Sequence, residues 1–325
     1  MWMSLRNFAF VRNIQDLSRE LGCERAQLEE YISSRQREFY KEMRIPKKGR
    51  RRREFRTVYK PCRELAVLQK NIATLLQRNP LPEYVQGFVS DRSIYKNAKI
   101  HIGQKILLHA DIHEFFESIT LERVRDAFET CGSNREVATL LAKLCTLDGF
   151  LPQGSSASPV LANLVCRHLD TDINALAISY GCRYSRYADD ITLSGDRVPP
   201  AESVENLLKR HAFELRPGSC RTQRRGHGQY VTGLSVEDAV PRIPRRMKRR
   251  LRLVLRLARS AMQHADLLLS ETKIDGWLAF FHSVEPNLAS KLSAEWDPIR
   301  ARLNNRHTGS PDDPSEEVTE EEPSD

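Results

Sequence analysis

Long apolar runs are missing from this chain. None approaches the ~18 residues that a membrane span needs, which excludes a helical membrane protein. The opening MWMSLRNFAF (Met1–Phe10) is too short and too interrupted for a secretory signal. The seven cysteines (Cys23, Cys62, Cys131, Cys145, Cys166, Cys182, Cys220) are odd in number and contain no Cys-x-x-Cys pair. That argues against a disulfide framework or a zinc site and fits a reducing compartment. Repeats with a period of about 20–50 residues are absent as well, so a solenoid is excluded. From these absences we expect a soluble cytoplasmic protein with no membrane partner.

What is present is size and positive charge. A chain of 325 residues with 40% apolar content can bury a real core, as one large domain or two to three subdomains. The formal net charge of +8 understates an asymmetry. Pro311–Asp325 holds eight acids and no base, so residues 1–310 carry all 51 bases and 35 of the 43 acids, a net +16. A body this basic points to a polyanionic partner, nucleic acid first. The tail after Thr308, rich in Pro, Ser, Asp and Glu, reads as disordered.

Leu17–Met43 has helical spacing and good helix formers. It is followed by IPKKGRRRREFRTVYKP (Ile45–Pro61), which reads as a hairpin whose tip crowds six bases into Lys47–Arg53. Cys62–Arg78 is amphipathic, with Leu65, Leu68, Ile72 and Leu75 on one side. Lys105–Ile119 begins as a buried strand, Ile106–Leu108. The Gly/Pro/Ser loop Leu151–Pro159 precedes a long helix. RYSRYADDITLSG (Arg183–Gly195) gives two short strands around a turn at Ala188–Asp190. Between Val240 and Gln263 there is no acid at all. There Met247, Leu251, Val254, Leu255 and Ala258 share one helical face, while Arg245, Arg249, Arg252, Arg256 and Arg259 recur at steps of four and three. Such a guanidinium stripe is suited to phosphates.

Asp189 and Asp190 are adjacent, and two carboxylates share a turn comfortably only if a cation neutralises them or water solvates both. Ile191 and Leu193 alternate with Thr192 and Ser194, which makes the hairpin half buried and holds its turn in place. A third carboxylate, Asp111, ends another apolar strand. Three aspartates from neighbouring strands form an oxygen cage suited to Mg2+, which prefers carboxylates together with substrate phosphates. Two such ions about 3.5–4 Å apart activate a 3′-hydroxyl and stabilise leaving pyrophosphate.

With those residues in hand, Tyr187-Ala188-Asp189-Asp190 resembles the catalytic box of reverse transcriptases. Asp111 followed by Phe115-Phe116, and then LPQGSSASP (Leu151–Pro159), stand in the matching order. NAKIH (Asn97–His101) and VTGL (Val231–Leu234) match elements of the retron branch, and GWLAFFHSVEP (Gly276–Pro286) resembles its thumb. The resemblance covers roughly residues 45–300. It implies an α+β right-hand polymerase fold: an N-terminal helical region (1–44), fingers with the basic hairpin (45–104), a palm whose antiparallel sheet carries the Tyr-Ala-Asp-Asp hairpin (105–237), a helical thumb (238–307) and the acidic tail (308–325). It also implies a bacterial, cytoplasmic RNA-directed DNA polymerase. Such an enzyme copies its cognate structured non-coding RNA into multicopy single-stranded DNA (msDNA). It primes from a guanosine 2′-hydroxyl and uses dNTPs, and many members act with an effector protein against phage. A group II intron enzyme is expected to carry an added maturase or endonuclease region, for which this chain has no room.

By position, the resemblance makes Asp111, Asp189 and Asp190 the ligands of two Mg2+ ions (Mn2+ as substitute), with the Ile112 carbonyl an extra one. Phe116 becomes the gate that excludes a 2′-hydroxyl, and Phe115 a core residue. Gln153 and Gly154 meet the nucleotide and template, and Arg52 and Arg53 hold the triphosphate, although four consecutive arginines leave that register open. His101 reads two ways, as a hydrogen-bonded structural histidine or, with Asn97, as an RNA contact. Thr232 and Gly233 read as a strand bulge or as backbone lying against a sugar-phosphate groove. Arg245, Arg249, Arg252 and Arg256 track the duplex. One departure stands out: LRPGSCRTQRR (Leu215–Arg225) has no lysine to protonate pyrophosphate, and Arg216 or Arg221 is a poor proton donor in its place. The competing readings are a diversity-generating or abortive-infection reverse transcriptase, and a catalytically silent RNA-binding scaffold.

Overall fold

In a computed structural model of the chain, residues 8, 10–33, 35–46, 55–261 and 266–307 are described, the last three by backbone alone. The basic tip with Arg52 and Arg53 and the acidic tail lie outside the described residues. Two compact units divide the chain, residues 1–241 and 242–325.

The first unit opens with α1 (Ile14–Leu21), α2 (Arg25–Tyr31) and a 3-10 turn at Gln36–Phe39. Asn13 accepts from the Asp16 amide at 3.0 Å to cap α1, and Gly22 closes it in the left-handed region at φ 70. Next come β1 (Tyr40–Pro46), β2 (Phe55–Pro61), α3 (Arg63–Leu76), α4 (Ile94–Ile100) and β3 (Ile106–Asp111). They are followed by α5 (Leu121–Thr130), α6 (Arg135–Cys145), α7 (Ser158–Val165), α8 (Arg167–Ser179), β4 (Arg183–Tyr187), β5 (Asp190–Gly195) and α9 (Ala201–Arg210). Three short strands end the unit: β6 (Arg221–Arg224), β7 (Tyr230–Val231) and β8 (Leu234–Ser235).

Helical spacing over Leu17–Met43 predicts helix to the end of that stretch, yet Tyr40–Met43 is strand. Tyr40 to Pro46 pairs residue for residue with Pro61 to Phe55, and that ladder overrides local helix propensity. The long helix expected after Pro159 is two helices, with a break at Cys166.

The site rests on one antiparallel sheet of order β4-β5-β3-β6. Residues in register share a face, so Tyr184, Leu193 and Leu108 form one row, and Arg186, Ile191 and Ala110 the next. That face packs into the apolar core with Val124 and Phe128 of α5, Leu141 of α6, Leu161 of α7, Ile173 of α8 and Leu208 of α9. The other face carries Tyr187, Asp190 and Asp111 in one row and Ser185, Thr192 and His109 in the next. Apolar residues of opposite parity to Asp111 and Asp190 thus anchor the strands, while those carboxylates point to the other side.

The second unit holds α10 (Arg245–Ala258), α11 (Glu271–Val284) and α12 (Pro286–His307). Leu251, Val254, Leu255, Ile274, Phe281 and Trp296 are buried in it. Glu285 ties its start together, accepting from the Ile243 amide at 2.8 Å and pairing with Lys248 at 2.7 Å.

Candidate active site

Asp111 ends β3 directly opposite Asp190, the first residue of β5. The Tyr187–Asp190 pair closes a two-residue turn, Ala188–Asp189, that joins β4 to β5. The Asp189 carbonyl accepts from the Ile112 amide at 3.0 Å, which ties the turn to the end of β3. All three aspartates therefore meet at one corner of the sheet. The Arg216 guanidinium lies there too, 3.1 Å from Asp111 Oδ2 and 3.8 Å from Asp189 Oδ2.

Burial, then the Asp189 charge, pushes the Asp111 carboxyl up to about 7 against the pull of Arg216. The same two causes, in that order, push Asp190 up to about 6. Burial also raises Asp189. Asp111 Oδ1 is buried without a hydrogen-bond partner. Among the described residues no three Asp, Glu, His or Cys side chains close into a ready ligand set, and Arg216 reaches two of the three carboxylates. Even so, the donor chemistry fits a hard divalent cation: clustered carboxylates, raised in pKa by burial and mutual repulsion, with one buried lone-pair-bearing oxygen to spare.

The turn is held from behind by residues that sequence reasoning did not single out. Ala188 adopts φ 59, a conformation that L residues other than Asn and Asp seldom take. Its carbonyl accepts from Arg186 Nη1 at 3.0 Å. Arg186 is fully buried and bound by both oxygens of Asp170 at 2.7 Å, with Asn163 Oδ1 at 3.1 Å. Gly87 lies against the same turn: a Cβ there would stand 2.3 Å from the Ala188 nitrogen. The signal for Arg186 was its parity, since it alternates with Tyr184 on the apolar face, where a guanidinium requires a buried acid. Gly87 had no comparable signal.

A cavity of about 690 Å³ opens beside the turn, lined among others by Phe55, Phe88, Phe116, Gln153, Asp189 and Arg216. Gln153 donates from Nε2 to Glu117 at 2.8 Å, and its carbonyl accepts from the Tyr59 amide at 2.7 Å. Gly154 sits at φ 118, where a Cβ would meet the Tyr59 carbonyl at 2.6 Å, so glycine is required where this loop packs on β2. Phe116 is half-buried with its ring 5.4 Å from that of buried Phe115.

The family model described as reverse transcriptase (RNA-dependent DNA polymerase) matches residues 45–244, which include all three aspartates. The retron Mx65 reverse transcriptase of Myxococcus xanthus is 34% identical over 313 residues, covering 88% of this chain and 72% of that relative. The retron Ec86 reverse transcriptase of Escherichia coli is 32% identical over 312 residues, 89% of this chain and 90% of that relative. This chain is a retron reverse transcriptase. It is an RNA-directed DNA polymerase of the right-hand polymerase class, built here from helices and small antiparallel sheets, and enzymes of its domain use divalent metal ions. The diversity-generating, abortive-infection and silent-scaffold readings fall away.

In this retron reverse transcriptase His101 is fully buried, with Nδ1 2.6 Å from Ser194 Oγ and Nε2 2.7 Å from Ser185 Oγ. Burial, then His109 and Arg183, lowers its pKa to about 3, so the ring is neutral. Asn97 is 1% exposed. Both side chains lie under the surface, where His101 links β4 to β5. Thr232 (φ 45) and Gly233 (φ 81) form a tight turn between β7 and β8, not a bulge. Thr232 Oγ1 donates to the Ile94 carbonyl at 2.9 Å, while Gly233 is exposed with nothing within 4 Å of an added Cβ. In the second unit Arg245, Arg249, Arg252 and Arg256 are exposed along α10, and Leu251, Val254, Leu255 and Ala258 are buried on its other side. All seven cysteines are free, and among the described residues no helix is long and apolar enough to cross a membrane.

Proposed function

We propose that the corner formed by Asp111, Asp189 and Asp190 is the polymerase centre of this reverse transcriptase, with the Ile112 carbonyl as an added ligand for two Mg2+ ions (Mn2+ as substitute). When bound, the ions supply a polarised 3′-hydroxyl and positive charge for departing pyrophosphate. The chain itself orients the substrates. Phe116 stands below the sugar and excludes a 2′-hydroxyl. Gln153 and Gly154, fixed against β2, meet the nucleotide and template. Arg52 and Arg53 hold the triphosphate from the hairpin tip. Arg216, 3.1 Å from Asp111, adds positive charge near the phosphates without serving as the proton donor. The open space above Gly233 admits a sugar-phosphate backbone. Arg245, Arg249, Arg252 and Arg256 follow duplex phosphates.

In this reading residues 1–44 are an N-terminal helical region, 45–104 the fingers, 105–237 the palm, 238–307 the thumb and 308–325 an acidic tail. The enzyme copies its cognate non-coding RNA into msDNA in the bacterial cytoplasm, primed from a guanosine 2′-hydroxyl. It works with an effector protein in phage defence. The observation that carries the centre is the register of Asp111 against Asp190, with Asp189 tied to the same strand end beside a cavity that reaches Phe116 and Gln153.

The test is to sequence the small nucleic acid that copurifies with the wild type and with Asp189→Ala/Asp190→Ala. A discrete single-stranded DNA joined to RNA, found with the wild type alone, is expected. RNA alone from both proteins would remove the self-priming assignment.

A further inference from the structure

Phe88 has three features that its role as a loop residue leaves unexplained. Its backbone is left-handed at φ 60, which an aromatic residue rarely tolerates. The residue is 41% exposed, so burial does not offset that conformation. And it lines the same cavity as Phe116, Gln153 and Asp189. Strain of this kind persists only where the surroundings over-determine it, and it gathers at functional sites.

The surroundings here are the catalytic turn itself. The amides of Gln86 and Gly87 both donate to the Arg186 carbonyl, at 2.7 and 3.3 Å. Asn163 Nδ2 donates to the Gly87 carbonyl at 2.9 Å, and Gly87 leaves no room for a Cβ against Ala188. Arg92 binds the Leu81 carbonyl at 2.8 Å and also those of Pro82 and Val85, which fixes the approach to this segment. The residue beside Gly87 is thus registered to the aspartates. Its ring centroid lies 6.0 Å from that of Phe116 at an interplanar angle of 46°. Phe116 accordingly has an inner neighbour, Phe115 at 5.4 Å, and an outer one, Phe88.

We propose that Phe88 is a specificity-determining residue: the second ring of the sugar gate, which keeps Phe116 from turning aside for a ribonucleotide. This rests on the reading of Phe116 as the gate. A half-buried ring with one aromatic neighbour can change rotamer to admit a hydroxyl, whereas a ring packed on two sides gives up attraction on both when it moves. Selection against rNTPs then comes from the pair, and Phe116 alone gives only part of it.

The experiment is single-nucleotide extension of a DNA primer on RNA template by the full-length protein, measuring kcat/KM for a dNTP and for the matching rNTP. Phe88→Gly removes the ring and is at ease at positive φ, so the backbone is relieved. Phe88→Asn, also tolerant of that region, gives a second ring-less variant. Both are expected to lower the dNTP-over-rNTP ratio about tenfold, the size of effect that a small change in apolar packing has on discrimination. Phe88→Tyr keeps the ring and is expected to hold the ratio within about twofold. The proposal is overturned if both ring-less variants keep the wild-type ratio while Phe116→Ala loses it. If Phe116→Ala also keeps the ratio, the gate reading itself fails, which is a different result.

Discussion

At the scale of single residues, the aspartates are legible because charge adjacency is costly and must be neutralised. Their pKa values carry the same cost into stability. A carboxyl raised from its ordinary 3.8 to about 7 (Asp111) or about 6 (Asp190) is preferentially protonated in the folded state. Its contribution is fullest below the unfolded pKa and is lost as pH climbs through the folded value. In chelator, Asp111→Asn is therefore expected to melt at increasingly higher temperature than wild type between pH 5 and pH 8, and added Mg2+ should collapse the gap. A gap that ignores pH would mean the carboxylates are already neutralised within the protein. Gly87 makes the opposite kind of case. Gly87→Ala places a methyl 2.3 Å from backbone nitrogen, which the turn cannot yield without moving Asp189. We expect a loss of about 1–3 kcal/mol in urea unfolding, as for other overpacked sites, together with a fall in kcat.

Between elements, the hairpin is held by polar groups on both faces of the sheet. On the core face Arg186 and Asp170 form a bidentate pair that is shut off from water. Removing one partner leaves an uncompensated buried charge, so Asp170→Asn should cost about 3–5 kcal/mol, read by chemical denaturation. On the other face His101 links Ser185 to Ser194. His101→Ala should cost about 2–4 kcal/mol, because two hydroxyls lose a partner and a cavity opens. Affinity for the cognate RNA, measured where the variant is folded, should stay within about twofold. A large selective loss of RNA binding would return His101 to the nucleic-acid surface. The pattern Asn-Ala-x-x-His marked this region without telling its role, since a histidine suited to RNA and one suited to a buried serine pair read alike in one dimension.

For the molecule as a whole, charge is the property that composition reports most directly. A net +16 over residues 1–310 calls for a polyanion, and α10 presents Arg249, Arg252 and Arg256 to solvent. Replacing these three with glutamine should weaken RNA binding and lower the slope of log affinity against log salt by roughly one for each phosphate no longer neutralised. An unchanged slope would place the RNA elsewhere.

The sequence by itself determined the local patterns of charge and apolarity. The three aspartates, the Leu-Pro-Gln-Gly loop, the apolar alternation of the strands and the arginine stripe are local patterns, set by spacing and by the cost of unneutralised charge. Tertiary structure alone decided which polar residues are inside. Tyr40–Met43 became strand because Val58–Pro61, across the hairpin, satisfied its backbone, and Asn97 and His101 became buried. Gly87 and Phe88 acquired their places against the turn in the same way. Those outcomes depend on atoms brought together from distant parts of the chain, and a hydrogen bond or a clash between such atoms leaves no period in the sequence to read.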